Sequence, residues 1–260
     1  MTSTFMGKST LITGAAGGIG AALARAASSH FEKVYLLDID GHQLTALRSS
    51  LSTAFPSVAF TAFTGSVSDA SFIVESFAAI AAEPFQLTSV FHAASILRGA
   101  SGLIGGVDLD INEWESIIDI NLTGSFIIAK ASLKAFITAK SAGDLVLFGS
   151  SNATHANAYD APYAASKAGV VALAESLNEE VMRLGIRVQC LSPDAVDTPL
   201  WDQNNSVLPR PAAMLSASTV ADSALRLTQL PRDGYIRNLQ LFPCKTRKRK
   251  SRPTTDSSQG

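Results

Sequence analysis

Cysteine is scarce in this chain. There are two, Cys190 and Cys244, and they form no disulfide framework. Histidine is almost as rare, with four residues (His30, His42, His92, His155) scattered along the sequence, so no metal-ligand spacing emerges. Neither sign of charge dominates: 21 Lys and Arg against 22 Asp and Glu leave a formal net charge of −1. Such a balance gives nucleic acid or an acidic membrane no general attraction. The N-terminus carries a single lysine, Lys8, before it enters a strand-like run, too short and too polar for a signal peptide. No apolar stretch reads as long enough to span a bilayer. There is no linker and no internal repeat. These absences lead us to expect a soluble protein of a reducing compartment, cytoplasmic, with no metal and with neither nucleic acid nor membrane as partner.

What the sequence has is apolar residues, 47% of the chain, in an alternating pattern. Strands are expected at 9–13, 33–38, 58–63, 87–94, 144–148, 186–191 and 235–241, and helices at 18–30, 44–51, 70–82, 112–136 and 162–184. Short β-branched runs alternating with helices imply an α/β fold, a parallel sheet covered on both faces. Two connections are unusually long, 95–111 and 199–216, and long loops of this kind carry substrate contacts in such folds.

Between the first strand and the first helix lies Thr13-Gly-Ala-Ala-Gly-Gly-Ile-Gly20. Glycines here allow a tight turn and a close backbone approach to a pyrophosphate, and the helix N-terminus offers it N–H groups and a positive dipole end. A glycine run by itself is only a turn; its strand-turn-helix setting makes it a nucleotide site. Asp38 ends the second strand, eighteen residues after Gly20. A carboxylate there accepts hydrogen bonds from an adenosine ribose and repels a 2′-phosphate, which favours NAD over NADP. Asp40 is better placed than Asp38 as a helix cap.

Tyr163 and Lys167 stand four residues apart on a helix opened by Pro162. Positions i and i+4 lie one above the other, so the two side chains face the same space. A free phenol has a pKa of ~10, too high for a good base near neutrality. At an effective dielectric near 20, a charge pair at ~4–5 Å is worth roughly 3–4 kcal/mol, which lowers the phenol's pKa by about two to three. Tyr163 is thus a candidate acid and base tuned by Lys167. Ser150 can hydrogen-bond a substrate oxygen as a preorganised partner. Otherwise it is a strand-end hydroxyl capping backbone, and Asn121 is a polar residue bending its helix. Ser151 is a weaker candidate than Ser150, and Tyr159 reads as pocket wall.

Together the Thr13–Gly20 turn, Asn121 in Asp119-Ile-Asn-Leu-Thr-Gly124, Ser150, Tyr163-Ala-Ala-Ser-Lys167 and the loop Ser192-Pro-Asp-Ala-Val-Asp-Thr198 resemble the short-chain dehydrogenase/reductase family, classical type. The likeness runs from about residue 8 to 241. It implies a single doubly wound Rossmann-type domain with a parallel seven-stranded sheet, here residues 1–243, followed by a basic and disordered tail, 244–260. It implies hydride exchange between a nicotinamide and a secondary alcohol or ketone, with Asn121, Ser150, Tyr163 and Lys167 as the catalytic set. Asn121 would hold a water linking Lys167 to solvent. The cofactor would contact Gly14, Ala16, Gly18, Ile19, Gly20, Asp38, Ser66, Val67, Ala93, Ala94, Asn121, Tyr163, Lys167, Pro193, Val196 and Thr198. A homodimer or homotetramer is also implied. A non-redox enzyme on the same scaffold (an epimerase or dehydratase) and a non-catalytic nucleotide-binding sensor are the competing readings.

Three stretches depart from the family pattern. His92-Ala-Ala-Ser95 replaces Asn-Asn-Ala-Gly, Gly65-Ser66-Val67 replaces Asp-Val, and Asp194 stands where glycine is usual. His92 reads as a buried, hydrogen-bonded histidine and Ser66 as a weaker partner for the adenine. Leu200, Trp201, Leu208, Met214 and Leu215 from one long loop, with Ile96, Leu97, Leu103 and Ile104 from the other, suit a lipophilic substrate such as a terpenoid, steroid-like or polyketide molecule. Alternatively they are core contacts of the loops.

Overall fold

The computed structural model describes residues 6–99, 102–204 and 210–244. Leu208 and the basic tail from residue 245 lie outside them. Within them a seven-stranded, all-parallel sheet is built from β1 (Gly7–Thr13), β2 (Lys33–Asp38), β3 (Ala59–Thr64), β4 (Phe85–His92), β5 (Gly143–Phe148), β6 (Ile186–Pro193) and, at its far edge, β9 (Asn238–Leu241). Their order is β3-β2-β1-β4-β5-β6-β9, so the winding reverses between β1 and β4. Ligands of open α/β sheets bind in the crevice at such a switch point, beyond the strands' C-terminal ends. Two short strands, β7 (Val196–Asp197) and β8 (Leu215–Ser216), pair with each other and bracket the second long loop.

Helices cover both faces: α1 (Gly18–Ala27), α2 (Gly41–Ala54), α3 (Ala70–Ala82), α4 (Ile111–Ile118), α5 (Gly124–Thr138), α6 (Ala161–Val181) and α7 (Ala217–Thr228). Adjacent strand residues point to opposite faces, and each face wants an apolar layer. Ile12, Leu36, Phe91 and Val146 join the core under α1, α2 and α7. Their neighbours Leu11, Tyr35, Val90 and Leu145 join the core under α3, α5 and α6. This doubling makes the strands read as continuous apolar runs rather than alternating ones.

Three expectations need correction. The helix expected over 112–136 is interrupted by a π-helical turn at Asp119–Thr123, which splits it into α4 and α5. Helix α7 does not figure among the expected elements, although Ser216 caps it by accepting from the Thr219 N–H at 3.1 Å. It packs chiefly on α1. The last strand starts at Asn238 rather than at residue 235. In addition, the continuous helical stretch Ile111–Thr138 is long and apolar enough to cross a membrane by length and composition, contrary to expectation. Here it lies against the sheet, burying Ile128, Leu133 and Phe136.

Candidate active site

The glycine turn shapes one end of the crevice. Gly14 adopts φ +65°, and a β-carbon on it would meet the backbone of Ala94 at 2.6 Å. A β-carbon on Gly20 would lie 2.0 Å from the Gly14 carbonyl oxygen, so α1 can leave the strand this closely only with glycine at both places. No side chain caps α1, which leaves its N-terminus facing a cavity of about 340 Å³. Gly14, Ala16, Gly18, Ile19, Gly20, Asp38, Ser66, Val67, Ala93, Ala94 and Thr198 all line that cavity. The bare helix end and a cradle that side chains would fill suit a pyrophosphate. Asp38 accepts from the Ala16 N–H at 2.9 Å and the Asp40 N–H at 3.0 Å, which aims its carboxylate along the same cavity. Asp40 caps α2 through the Gln43 N–H at 2.9 Å, as expected of it.

A larger cleft, about 1010 Å³, opens beside this one and shares Ile19, Ala93 and Thr198 with it. Ser150, Tyr163, Lys167, Pro193 and Val196 line it. Pro162 sits in the first turn of α6, and the helix delivers Tyr163 and Lys167 one above the other, with Lys167 Nζ 5.6 Å from the phenol ring centroid. Lys167 donates to the Phe148 carbonyl at 2.8 Å, and Ser150 lines the same cleft as the phenol.

Electrostatically the pair differs from the sequence expectation. Burial pushes the Tyr163 phenol up to about 12; the Ser150 hydrogen bond pulls it down, and the nearby Asp160 carboxylate adds to the rise. Burial likewise lowers Lys167 to about 8, against a small upward pull from Cys190. The expected lowering of Tyr163 by Lys167 is therefore absent from the cofactor-free protein. Desolvation of the phenol dominates, and the tyrosine rests as a neutral proton donor.

Asn121 lines neither cavity. It is fully buried in the π-helical turn, where its carboxamide accepts from the Ile96 N–H and donates to the Ile96 carbonyl, both at 2.8 Å, and donates also to Ser166 Oγ at 3.1 Å. The side chain thus anchors the start of the first long loop. His92 is buried, bonded to Thr13 Oγ1 at 2.7 Å through Nδ1, and held neutral at about 3 by burial and by the Lys167 charge. Ser151 donates to Asp194 at 2.6 Å and so fixes the loop after β6 rather than a substrate. Val67 packs against the start of α5, where a β-carbon on Gly124 would come within 2.9 Å of it.

The two long loops meet across the cleft. Gln203 Oε1 accepts from the N–H groups of Leu97 (2.7 Å) and Arg98 (3.0 Å), and the Trp201 indole donates to the Val196 carbonyl at 2.8 Å. Of the apolar residues expected in the pocket, Leu97, Leu200, Trp201 and Met214 line the cleft, and Ile96 lines the smaller cavity. Leu103 and Ile104 line neither, and Leu215 belongs to the core. Sequence reasoning missed Arg98, Asn152, Asn157 and Asp160, polar residues at the other end of the cleft. Among the described residues no three His, Cys, Asp or Glu side chains gather as metal ligands.

A family model described as short chain dehydrogenase matches residues 8–208. D-threitol dehydrogenase of Mycolicibacterium smegmatis is 33% identical over 200 residues, covering 75% of this chain and 74% of the relative. The mitochondrial borneol dehydrogenase of Lavandula x intermedia is 30% identical over 230 residues, covering 85% and 83%. Among solved structures, a short-chain dehydrogenase from Sphingobium yanoikuyae in complex with NADPH superposes with a TM-score of 0.77 at 24% identity, covering 90% of this chain and 87% of that one. At that identity the superposition speaks for the fold alone.

Proposed function

The chain belongs to the short chain dehydrogenase family, and on that premise we propose that it exchanges a hydride between NAD and a secondary alcohol or its ketone, with Tyr163 as the acid and base. The observation that carries this reading is the convergence of Ser150, Tyr163 and Lys167 on one cleft that joins the nucleotide cavity at Ile19, Ala93 and Thr198. A bound nicotinamide supplies or accepts the hydride. The chain's own residues manage the proton and the geometry. Ser150 orients the substrate oxygen, and a neutral Tyr163 donates its phenolic proton to that oxygen as a carbonyl is reduced. In oxidation the phenolate takes the proton back. Lys167, cationic at neutral pH, stabilises that phenolate, and its bond to the Phe148 carbonyl keeps it in place.

The preference for NAD is proposed from Asp38, whose carboxylate lines the smaller cavity and there would accept from an adenosine ribose and repel a 2′-phosphate. The substrate's body is proposed to be lipophilic, lying against Leu97, Leu200, Trp201 and Met214, in the manner of a terpenoid, steroid-like or polyketide ketone. Two curated relatives act, by name, on D-threitol and on borneol, both alcohols. Asn121 anchors the Ile96 backbone, and a water beside it would serve proton exchange with Lys167.

The test is turnover of NADH and NAD against a panel of lipophilic ketones and secondary alcohols, wild type beside Tyr163→Phe, with cofactor affinity measured separately. General acid–base groups contribute about 10²–10⁴-fold, so a loss of that size with unchanged cofactor affinity is expected. Equal rates in the two proteins would refute the assignment of Tyr163. Tight cofactor binding without turnover of any substrate would turn the reading toward a non-redox enzyme or a sensor.

A further inference from the structure

A buried polar network stands beside Tyr163 that the proton chemistry above does not use. Arg98, from the long loop after β4, lies 2.5 Å from Asp160, with side chains 6% and 8% exposed. Arg98 also donates to the Tyr159 carbonyl. The second Asp160 oxygen accepts from Asn152 Nδ2 at 2.9 Å, and Asn152 Oδ1 accepts from both the backbone and the side chain of Asn157, each at 3.0 Å. The Asn152 N–H then donates to Ser150 Oγ at 3.2 Å, and Ser150 and Tyr163 both line the cleft. Asp160 therefore acts on both: it is three residues from Tyr163 along the chain and is linked to Ser150 through Asn152.

Two observations set this network apart from ordinary capping. Asp160 occupies the N-cap position of α6, yet its side chain caps nothing. The usual cap accepts from the second or third helical N–H; here the second residue is Pro162, which has none, and the third is Tyr163 itself. Asp160 forgoes that bond in favour of Arg98 and Asn152. Secondly, Tyr159 is held at φ +68°, a left-handed conformation that a bulky residue adopts only under outside constraint, and its carbonyl is turned toward Arg98.

We propose that Arg98 and Asp160 are positioning residues for the reaction: their ion pair holds Ser150 and Tyr163 in register and balances the charge the phenol feels. This rests on the reading of Tyr163 as acid and base. The remaining charged or titratable groups around the site are Lys167 on the same helix, His92 of β4 and Cys190 of β6, which both face Lys167, and Asp194 after β6, which is held by Ser151. The negative charge of Asp160 opposes ionisation of the phenol, and Arg98 offsets it. Removing either partner should then move the phenol in opposite directions.

The experiment compares Asp160→Asn, Arg98→Met and the charge-neutral double variant R98M/D160N. The readouts are the pH profile of alcohol oxidation and, in cofactor-free protein at neutral pH, the NMR chemical shift of tyrosine labelled at the phenolic carbon, assigned with Tyr163→Phe. In the oxidation profile, Asp160→Asn is expected to move the ionisation that switches on activity to lower pH and Arg98→Met to move it to higher pH, by about half to one pH unit each. The double variant should return the transition close to wild type while retaining a loss of about tenfold or more in kcat, because the register is gone. Transitions that coincide in all folded variants would overturn the proposal. Should a lone buried charge keep a single variant from folding, the neutral double decides: lowered kcat with unchanged cofactor affinity supports positioning, and unchanged kcat overturns it. If wild type turns over no alcohol at all, hydride transfer has failed as a reading, and the neutral-pH NMR shift of Tyr163 still reports on the pair: a shift unchanged in all three variants overturns the proposal.

Discussion

Gly18 and Thr198 touch across the mouth of the nucleotide cavity so closely that a β-carbon on Gly18 would lie 2.5 Å from the Thr198 γ-methyl. The glycine turn after β1 and the loop after β6 are thereby locked together on the wall of one cavity. Thr198 is buried and β-branched, so it has little room to turn aside. Overpacking of this sort costs about 1–3 kcal/mol. Gly18→Ala is expected to weaken NADH binding by roughly tenfold or more, read by calorimetry or by quenching of protein fluorescence, with far-ultraviolet circular dichroism unchanged.

Asp38 gives a prediction about cofactor choice. Its carboxylate is already oriented by the Ala16 and Asp40 N–H groups, and the next residue, Ile39, is exposed and uncharged. Nothing cationic at these two positions would offset a 2′-phosphate. Wild type should bind NAD more tightly than NADP, and Asp38→Asn should narrow the ratio of the two dissociation constants by about tenfold, since hydrogen bonds to charged groups are worth roughly 1.5–3 kcal/mol. Tighter binding of NADP by wild type would contradict the assignment.

His92 ties stability to acid. Folded, it is neutral down to about 3, below the ordinary value near 6.5, because it is buried and sits by the Lys167 charge. Between those values the unfolded chain binds a proton that the folded one does not. The stability is thus fully present above about pH 6.5 and declines as pH falls toward 3, at about 1.4 kcal/mol per pH unit from this one group. Urea unfolding of wild type and His92→Leu across that range should show a shallower decline in the variant. Parallel curves would mean that the histidine is protonated in the fold.

Arg187 and Asp144 form a cross-strand pair between β6 and β5, 2.7 Å apart and nearly inaccessible to solvent. Arg187 also donates to the carbonyls of Thr228, Leu230, Pro231 and Gly234, and Arg232 closes on the other side of Asp144 at 2.9 Å. Burial raises the Asp144 carboxyl, and the two arginines hold it down. Removing one member of a buried pair costs about 3–5 kcal/mol because a charge is left stranded. Arg187→Leu leaves Asp144 only the half-exposed Arg232, so a loss at the lower end of that range, about 3 kcal/mol, is expected in chemical unfolding, and adding Asp144→Leu should restore part of it.

How legible these features are in the sequence depends on how far apart their parts lie in the chain. The Tyr163–Lys167 spacing, the glycine turn and the apolar strands are local patterns, and each is present, with strand ends displaced by a few residues. The π-helical turn at Asn121 is not local. It persists because Ile96, twenty-five residues earlier, offers both its N–H and its carbonyl to the carboxamide. Arg98 meets Asp160 across sixty-two residues, and in the sequence each looks like an ordinary loop charge. Helix α7 was legible in part, since Ser216 with Thr219 is a capping signal, but its polar first turn conceals the apolar stripe of Val220, Ala224 and Leu227. The basicity of Tyr163 could not be read from spacing at all, because burial decides it.

The final described residues have a practical consequence. After β9, Pro243 and Cys244 turn back along the rim of the larger cleft. The only other thiol in the chain, Cys190, is buried in β6, while Cys244 is exposed. The molecule therefore carries its own single labelling point within sight of the reaction centre. A thiol-reactive dye or a disulfide-tethered fragment added to the unaltered protein would report from the cleft's edge, and occupancy of that cleft could be followed without knowing what the natural substrate is.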